Sequence, residues 1–495
     1  MFSIWQCSFA PIVLGAYWLI KRQLDGQSHD LEKLPFVKFD NNDIPERYVA
    51  ESEKLLHSGY NKYIKNGVPF RMRNLVDPNH HQLILPFKYL DEVKSSAQNE
   101  MSFQLFSRQA FLLDYLNAPE PIDLSTHIVR GDLNKNLAHL MQDIHAQAKL
   151  SFAESIPKCE DWTPLQPYLV IAKTIARMTS LVFAGPELCA SEEWRDMMVQ
   201  FTITLMQTSQ LIQRKYPHHW RWIVPWVDPN ARKILTIRKR CAELLSPSYQ
   251  TRLAGEEKFV DGIQWLMNGK PGGNIGLLEL ADQQLFLSIA SIHSTSASAL
   301  SILYDLLERP EYIPDILEEL QSVAAINKSP GWTKRSLEQL EKLDSFMKES
   351  QRVNPVGLVT VRRSAVRPYT FSDGLRIPAN THCCFPNYEL NHDRDVYPDP
   401  DKFDGYRFLN LRHKVDVHKY HFAYVSESSI NFGAGAHSCP GRHLASNEIK
   451  LILSELLLNY DLKWPEGQRR PPTMFHDFSS NPNPMVDILI RRKKA

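Results

Sequence analysis

Residues 432–441 read FGAGAHSCPG, and the stretch after them, RHLASNEIKLILSELLLNY, spaces Leu444, Ile449, Ile452, Leu453, Leu456 and Tyr460 near a 3.6-residue period. One cysteine, Cys439, therefore sits at the mouth of a helix, among Gly433, Gly435, Gly441 and Pro440. The free N–H groups and positive dipole end of a helix favour a thiolate, which serves as a metal ligand or a nucleophile. A nucleophile needs a base oriented by a third group, and His437, two residues away, brings none with it. Three glycines instead suggest a flat, bulky group pressed against the backbone, as a porphyrin would be.

The bulk composition bounds the rest. A chain of 495 residues with 43 % hydrophobic content can bury a large core. Its 57 basic and 56 acidic residues leave a net charge of +1, so there is no electrostatic footprint for nucleic acid. Seven cysteines, an odd count with no CxxC pair, fit neither a disulfide scaffold nor a zinc ribbon. The adjacent Cys383 and Cys384 read as strand-packing residues.

From Phe2 to Ile20 there is no charged residue, and Lys21 and Arg22 follow at once. Nineteen helical residues span roughly 28 Å, enough for a thin bilayer. Because the positive charges follow the apolar run, the positive-inside rule puts the rest of the chain in the cytosol. A cleaved signal peptide would carry its charges ahead of the run. Residues 1–22 are thus expected to anchor the chain, 23–34 to link, and 35–495 to form one domain.

Helical patterns fill the first half, notably residues 166–185 and about 275–308, with Gly185 and Pro310 as stops. Strand-like runs, VGLVTVRRSA at 356–365 and THCCFPN at 381–387, are found only beyond residue 350. The expected class is mainly α with small β-sheets. Residues 216–229, YPHHWRWIVPWVDP, crowd three tryptophans between prolines, either as a loop in a lipid interface or as one folded on the core.

Phe432, Gly433, Gly435, Cys439 and Gly441 resemble the haem loop of the cytochrome P-450 family, Phe-x-x-Gly-x-x-x-Cys-x-Gly. With 23 Phe, 20 Gly and 7 Cys in the chain, chance matches to the four fixed positions number roughly 0.0005. Glu349 and Arg352 in FMKESQRVNP resemble the family's Glu-x-x-Arg, although Glu192 and Arg195 fit that weak pattern too. Arg407 in FDGYRF stands where the family ties a further arginine to that pair. The resemblance implies a P-450 fold with haem b, Cys439 as the axial iron ligand, and Glu349, Arg352 and Arg407 as scaffold. His437 and Arg363 resemble donors to the haem propionates, with Arg362 an alternative to Arg363. The family's Trp-x-x-x-Arg helix is not found; His127, Arg130 and His139 stand in that region without the tryptophan.

On the oxygen side the family carries an acid–threonine pair in a long helix, and ASIHSTSAS at 290–298 is the matching stretch. His293 replaces the acid and Ser294 the threonine, with Thr295 behind it. The resemblance gives these three a role in proton delivery, which a histidine can perform near neutral pH. It further implies a monooxygenase that inserts oxygen from O2 into a lipophilic substrate. The electrons come from an NADPH-dependent reductase, docked by basic residues such as Arg442 and Lys450. The site is the cytosolic face of the endoplasmic reticulum membrane. IHST, FDGYRF and CPGRHLASNEIK are similar to fungal members that oxidise terpenoid skeletons in secondary metabolism. The substrate walls are expected at residues 100–115, 286–294, 356–361 and around Met474 and Phe475, all largely apolar. A haem-thiolate isomerase or dehydratase, a non-catalytic haem protein and a thiol nucleophile remain as alternatives.

Overall fold

The computed structural model describes residues 31–494 apart from 79, 256–258, 271, 273–274 and 328–330. The anchor expected at 1–22 lies outside the described residues. Packing is under way by Leu31, which is buried, and Arg71 donates to the carbonyls of Glu32 and Leu34. Residues 31–34 of the expected linker are therefore tied to the sheet.

Most of the core is helical: α1 Asn134–Ser155, α2 Pro167–Ala190, α3 Glu192–Lys215, α4 Pro229–Ala254, α5 Leu277–Glu308, α6 Glu341–Val353 and α7 Arg442–Asn459. α2 and α5 pack on each other at the centre, with α1, α3 and α4 around them. Both are long and apolar enough to cross a membrane, yet 78 % and 61 % of their apolar windows are buried in protein, as core helices require. Gly185 does not end α2 but kinks it, with φ 85 and ψ 175, and Pro186 restarts the helix. A Cβ there would lie 2.6 Å from Asp261 Oδ2, a partner in the buried Asp261–Arg252 ion pair.

Strands also occur in the first half, contrary to the sequence expectation. A five-stranded sheet combines β1 Phe70–Arg73, β2 His81–Ile84, β3 Met101–Ser102, β4 Val359–Ala365 and β5 His382–Pro386 in the order β1-β2-β5-β4-β3. FRMR and HQLI are too short and too polar to announce themselves by alternation; β2 is made a strand by pairing with the apolar β5, and β1 by pairing with β2. Cys383 and Cys384 are both fully buried in β5, pointing to opposite faces.

β4 carries the feature that matters for the site. Thr360 pairs with Phe385 and Arg363 with Cys383, so the register slips between them, and Val361 has φ 50. A β-branched residue in that conformation is held there by its surroundings. The bulge re-aims the two arginines that follow.

Candidate active site

The cysteine loop closes on itself before α7. Cys439 donates its backbone N–H to the Phe432 carbonyl at 2.7 Å, and the Phe432 ring meets Phe422 edge-on at 5.5 Å. Gly433 and Gly435 have φ of 81 and 60, so the backbone itself requires glycine at both. Gly435 is also pressed by Lys94, whose Cγ would lie 3.0 Å from an added Cβ. The turn by itself therefore accounts for both glycines. Gly441 is the different one: its φ is ordinary and its nearest neighbour would be Val129 Cγ1 at 3.9 Å. Nothing in the protein demands a glycine there, and the space beside it is free.

Cys439 itself is exposed, whereas the other described cysteines are buried. Protein nevertheless surrounds it, and that burial pushes the thiol up. The Gly441 and Arg442 backbone N–H groups and the Arg442 charge oppose the push. An accessible sulfur enclosed by protein, with N–H donors aimed at it from a helix mouth, is arranged to be a ligand.

Two arginines and a histidine gather near the loop. Arg363 is buried; Nη1 donates to the Arg362 carbonyl at 2.8 Å, while Nε and Nη2 have no partner among the described residues. Burial lowers its pKa to about 10, so it keeps its charge at neutral pH. A buried, charged arginine with two idle donors is costly unless an anion completes it. His437 Nδ1 accepts from Gln98 Nε2 at 3.3 Å, and burial together with Arg363 and Arg130 lowers its pKa. Arg130 Nη2 reaches the Ala436 carbonyl at 2.5 Å. Arg130 lies in the region where the tryptophan-arginine motif was not found, on a π-helical turn, Val129–Leu133, that no sequence pattern announced. These residues fit haem: a thiol for the iron, free space over Gly441, and an unsatisfied arginine for a propionate. Arg362 takes another course, donating to the Phe478 carbonyl at 3.3 Å.

On α5, only Ala290 and Ser294 are exposed between Glu279 and Glu308, one turn apart in an otherwise packed helix. Ser294 Oγ donates back to the Ala290 carbonyl at 3.2 Å; Ser291 and Ser296 do the same to Leu287 and Ile292 at 2.7 and 2.6 Å. The helix thus absorbs its own hydroxyls. His293 is half-buried and has no hydrogen-bond partner among the described residues, and burial lowers its pKa. Thr295 is buried. α5 packs against α7, the helix launched by Cys439.

The third group is closed. Arg352 grips Glu349 with two bonds of 2.8 Å, and Arg407 Nε reaches the same carboxylate at 3.1 and 3.2 Å. Asp404 adds its backbone N–H to Glu349 at 2.9 Å, and the remaining arginine donors find the carbonyls of Asn391, Pro398 and Lys402. The other Glu-x-x-Arg match is not such a pair: Arg195 donates to the Cys189 carbonyl and approaches Glu154.

The cytochrome P450 family model matches residues 169–487, which take in α5, the Glu349 cluster and the cysteine loop. The chain belongs to the cytochrome P450 family. A cytochrome P450 monooxygenase of Pyricularia oryzae is 60 % identical over 450 residues, covering 90 % of this chain and 94 % of that protein. One of Chaetomium globosum is 47 % identical over 480 residues, 96 % and 93 % of the two chains. Pyrichalasin C-7 hydroxylase of Pyricularia grisea is 39 % identical over 471 residues, 93 % of each. This P450 is a haem-binding monooxygenase, which removes the isomerase, carrier and thiol-nucleophile alternatives.

Two further surfaces of the P450 bear on function. A groove of about 610 Å³ beside the cysteine loop is lined by Arg130, Lys334, Ser438, Pro440, Arg442 and His443, among others. Lys450, expected on that surface, is instead buried, paired with Asp344 at 2.7 Å and donating to the Leu337 carbonyl. It lies on the inner face of α7, where its charge is needed by a fully enclosed carboxylate. In the tryptophan segment, Arg221 and Val224 turn inward while Trp220, Trp222 and Trp226 are 51, 59 and 67 % exposed. The segment is tied by its buried residues and presents its rings outward.

Proposed function

We propose that this P450 is a membrane-anchored hydroxylase of a lipophilic secondary metabolite, with Cys439 as the axial haem ligand. The observation that carries this reading is the accessible Cys439 sulfur enclosed at the mouth of α7, beside a buried arginine with no anion. Haem, when bound, supplies the redox chemistry by which one atom of O2 enters an unactivated carbon. The chain supplies the rest. Phe432, Gly433, Gly435 and Gly441 shape the loop; Arg363 and Arg130 would neutralise the propionates and His437 would hydrogen-bond to them; Glu349, Arg352 and Arg407 hold the scaffold rigid. Ser294 Oγ, exposed on α5, positions a water, and the ring nitrogens of His293, kept neutral by burial, return the proton that the water hands on. Thr295 backs that relay from the buried side.

Electrons arrive from an NADPH-dependent reductase seated on the groove of Arg130, Lys334 and Arg442, whose cations suit an acidic partner. Residues 1–22 anchor the chain in the endoplasmic reticulum membrane, with the domain 35–495 on the cytosolic side. Trp220, Trp222 and Trp226 rest in the lipid interface. For the substrate, the hydroxylase of pyrichalasin favours a compound of that kind over the terpenoid skeletons expected from sequence.

The test is the spectrum of the reduced protein under carbon monoxide. A band at about 450 nm, absent in Cys439→Ala, is expected for thiolate-ligated haem. A wild-type protein that takes up haem without that band overturns the ligand assignment. Turnover of pyrichalasin-type and terpenoid substrates with NADPH and a reductase then separates the two substrate classes.

A further inference from the structure

The loop that carries Cys439 is bonded largely to itself. The backbone N–H of Gly433 donates to the Ile430 carbonyl at 2.8 Å, that of Ser438 to Gly435 at 3.1 Å and that of Cys439 to Phe432 at 2.7 Å. Such bonds fix the shape of the loop and leave its place in the molecule open. Its far side is held by Arg130 at Ala436 and by Gln98 at His437, and its end runs into α7. Its near side begins with the turn 430–433, whose two central residues are Asn431 and Phe432.

Asn431 ties that turn to two other parts of the protein. Its Oδ1 accepts from Asn387 Nδ2 at 2.9 Å and from Asn391 Nδ2 at 3.0 Å. Both donors stand on one face of the short helix Asn387–Asn391, four residues apart. Asn387 also donates its side chain to the Gly357 carbonyl at 3.1 Å and its backbone N–H to the Leu358 carbonyl at 2.8 Å, so it follows the start of the stretch 356–361. Asn391 offers its carbonyl to Arg352 Nη1 at 2.7 Å, so it belongs to the Glu349 cluster. One oxygen thus joins that stretch, the cluster and the cysteine loop.

For stability alone this is a poor arrangement. Asn387 and Asn391 are 2 and 0 % exposed, and the Oδ1 of each has no partner among the described residues. A buried amide oxygen left unpaired is costly, and turning either amide over would set its oxygen against Asn431 Oδ1. The orientation of both amides is therefore dictated by the acceptor on Asn431, whose two lone pairs are used. Apolar side chains would fill the same space without orphaned atoms. What the amides add is direction: two donors from one helix, meeting at a single atom, define where that atom sits.

We propose that Asn431 is a positioning residue for the haem thiolate: the Asn387 and Asn391 amides fix its side chain, the turn carries Phe432 with it, and the Phe432 carbonyl places the Cys439 backbone. The inference rests on Cys439 being the axial ligand, as read above. The path to the sulfur is short, since one peptide separates Asn431 from Phe432 and one hydrogen bond separates Phe432 from Cys439. Without the acceptor, the turn keeps its internal bond from Gly433 to Ile430 and hence its shape, while it loses its alignment with the Glu349 cluster. Arg363 and Arg130 are untouched by that loss, so haem stays bound and only its thiolate bond becomes less secure.

The test compares Asn431→Leu, which removes the acceptor at similar volume, with Asn431→Asp, which keeps it. Three quantities are read on the full-length holoprotein. They are the rate at which the carbon monoxide band is lost well below the unfolding temperature, the iron–sulfur stretch in the resonance Raman spectrum, and the thermal midpoint. Asn431→Leu is expected to lose the band about tenfold faster than wild type and to shift the stretch, whereas Asn431→Asp should stay within about twofold and keep the wild-type stretch. Asn391→Ala, which removes one of the two donors, should raise the rate about threefold, and it carries the test alone if the leucine variant does not accumulate. A lower midpoint in Asn431→Leu with band loss and stretch unchanged would reveal a purely structural amide cluster and overturn the positioning role. An aspartate variant no better than the leucine one, or an unchanged rate in Asn391→Ala, overturns it as well. A wild type that takes up haem and lacks the band fails the ligand assignment itself.

Discussion

Arg352 and Arg363 are both buried arginines within about a dozen residues of each other, and they are used in opposite ways. Arg352 spends its donors on Glu349 and on the Asn391 carbonyl, inside a group to which Arg407 and Asp404 also contribute. Arg363 has one backbone acceptor and two idle nitrogens. A closed cluster of charges is a brace, whereas an open one is a socket. The difference is visible in the hydrogen bonds alone, before any ligand is considered.

Breaking the closed cluster is expected to have the largest effect. Arg352→Leu strands the Glu349 carboxylate in the core, where loss of one partner of a buried pair costs about 3–5 kcal/mol. The variant should accumulate without haem and lose its cooperative thermal transition. A variant that unfolds at the wild-type midpoint would show that Arg407 suffices to hold Glu349.

The open cluster should respond the other way. Arg363→Leu removes a buried charge that has no partner, so the haem-free protein should be as stable as wild type or more so by about 1 kcal/mol. Haem affinity should fall about tenfold, because one propionate loses its donor. Urea denaturation of the haem-free form and haem transfer to apomyoglobin measure the two halves separately. Equal destabilisation by Arg352→Leu and Arg363→Leu would erase the distinction between brace and socket.

How far the sequence revealed these clusters follows from the same contrast. Cys439, its glycines and Glu349–Arg352 are local patterns, with partners three to ten residues apart, so spacing alone exposed them. Arg130 reaches Ala436 across the chain from a π-helical turn, and without its expected tryptophan it had no pattern to be found by. β1 and β2 were missed because their strand character comes, directly for β2 and through β2 for β1, from β5, some three hundred residues away. Lys450 was misplaced for the converse reason. An amphipathic period suggests which residues face inward, but α7 is buried on almost every side and takes its lysine inside with Asp344.

A smaller effect is expected on the distal side. Ser294→Ala should leave the carbon monoxide band and substrate binding unchanged, since Oγ bonds only to its own helix at Ala290. Product formed per NADPH consumed should drop several-fold, with the balance released as peroxide, if Ser294 positions the water of the proton relay. Unchanged coupling would place that task on His293 or Thr295.

Two buried glutamates extend the comparison to its finest scale. Glu349 is held by two arginines, whereas Glu448 in α7 has only Thr179, at 3.3 Å, and its Oε2 is unpartnered. Burial raises the Glu448 carboxyl from 4.5 to about 8, so the folded protein keeps it protonated where the unfolded chain does not. The folded state then binds the extra proton, and stability contributed by this group is full below pH 4.5 and declines as pH rises towards about 8. Glu448→Gln, which copies the protonated shape, should flatten that part of the profile by about 1 kcal/mol per pH unit or less. Thermal midpoints of wild type and variant at several pH values in this window read the slope directly. Parallel profiles would mean that Glu448 is ionised in the folded protein, and an unpaired carboxylate would then have to find, next to Thr179, a partner as good as the arginines of Glu349.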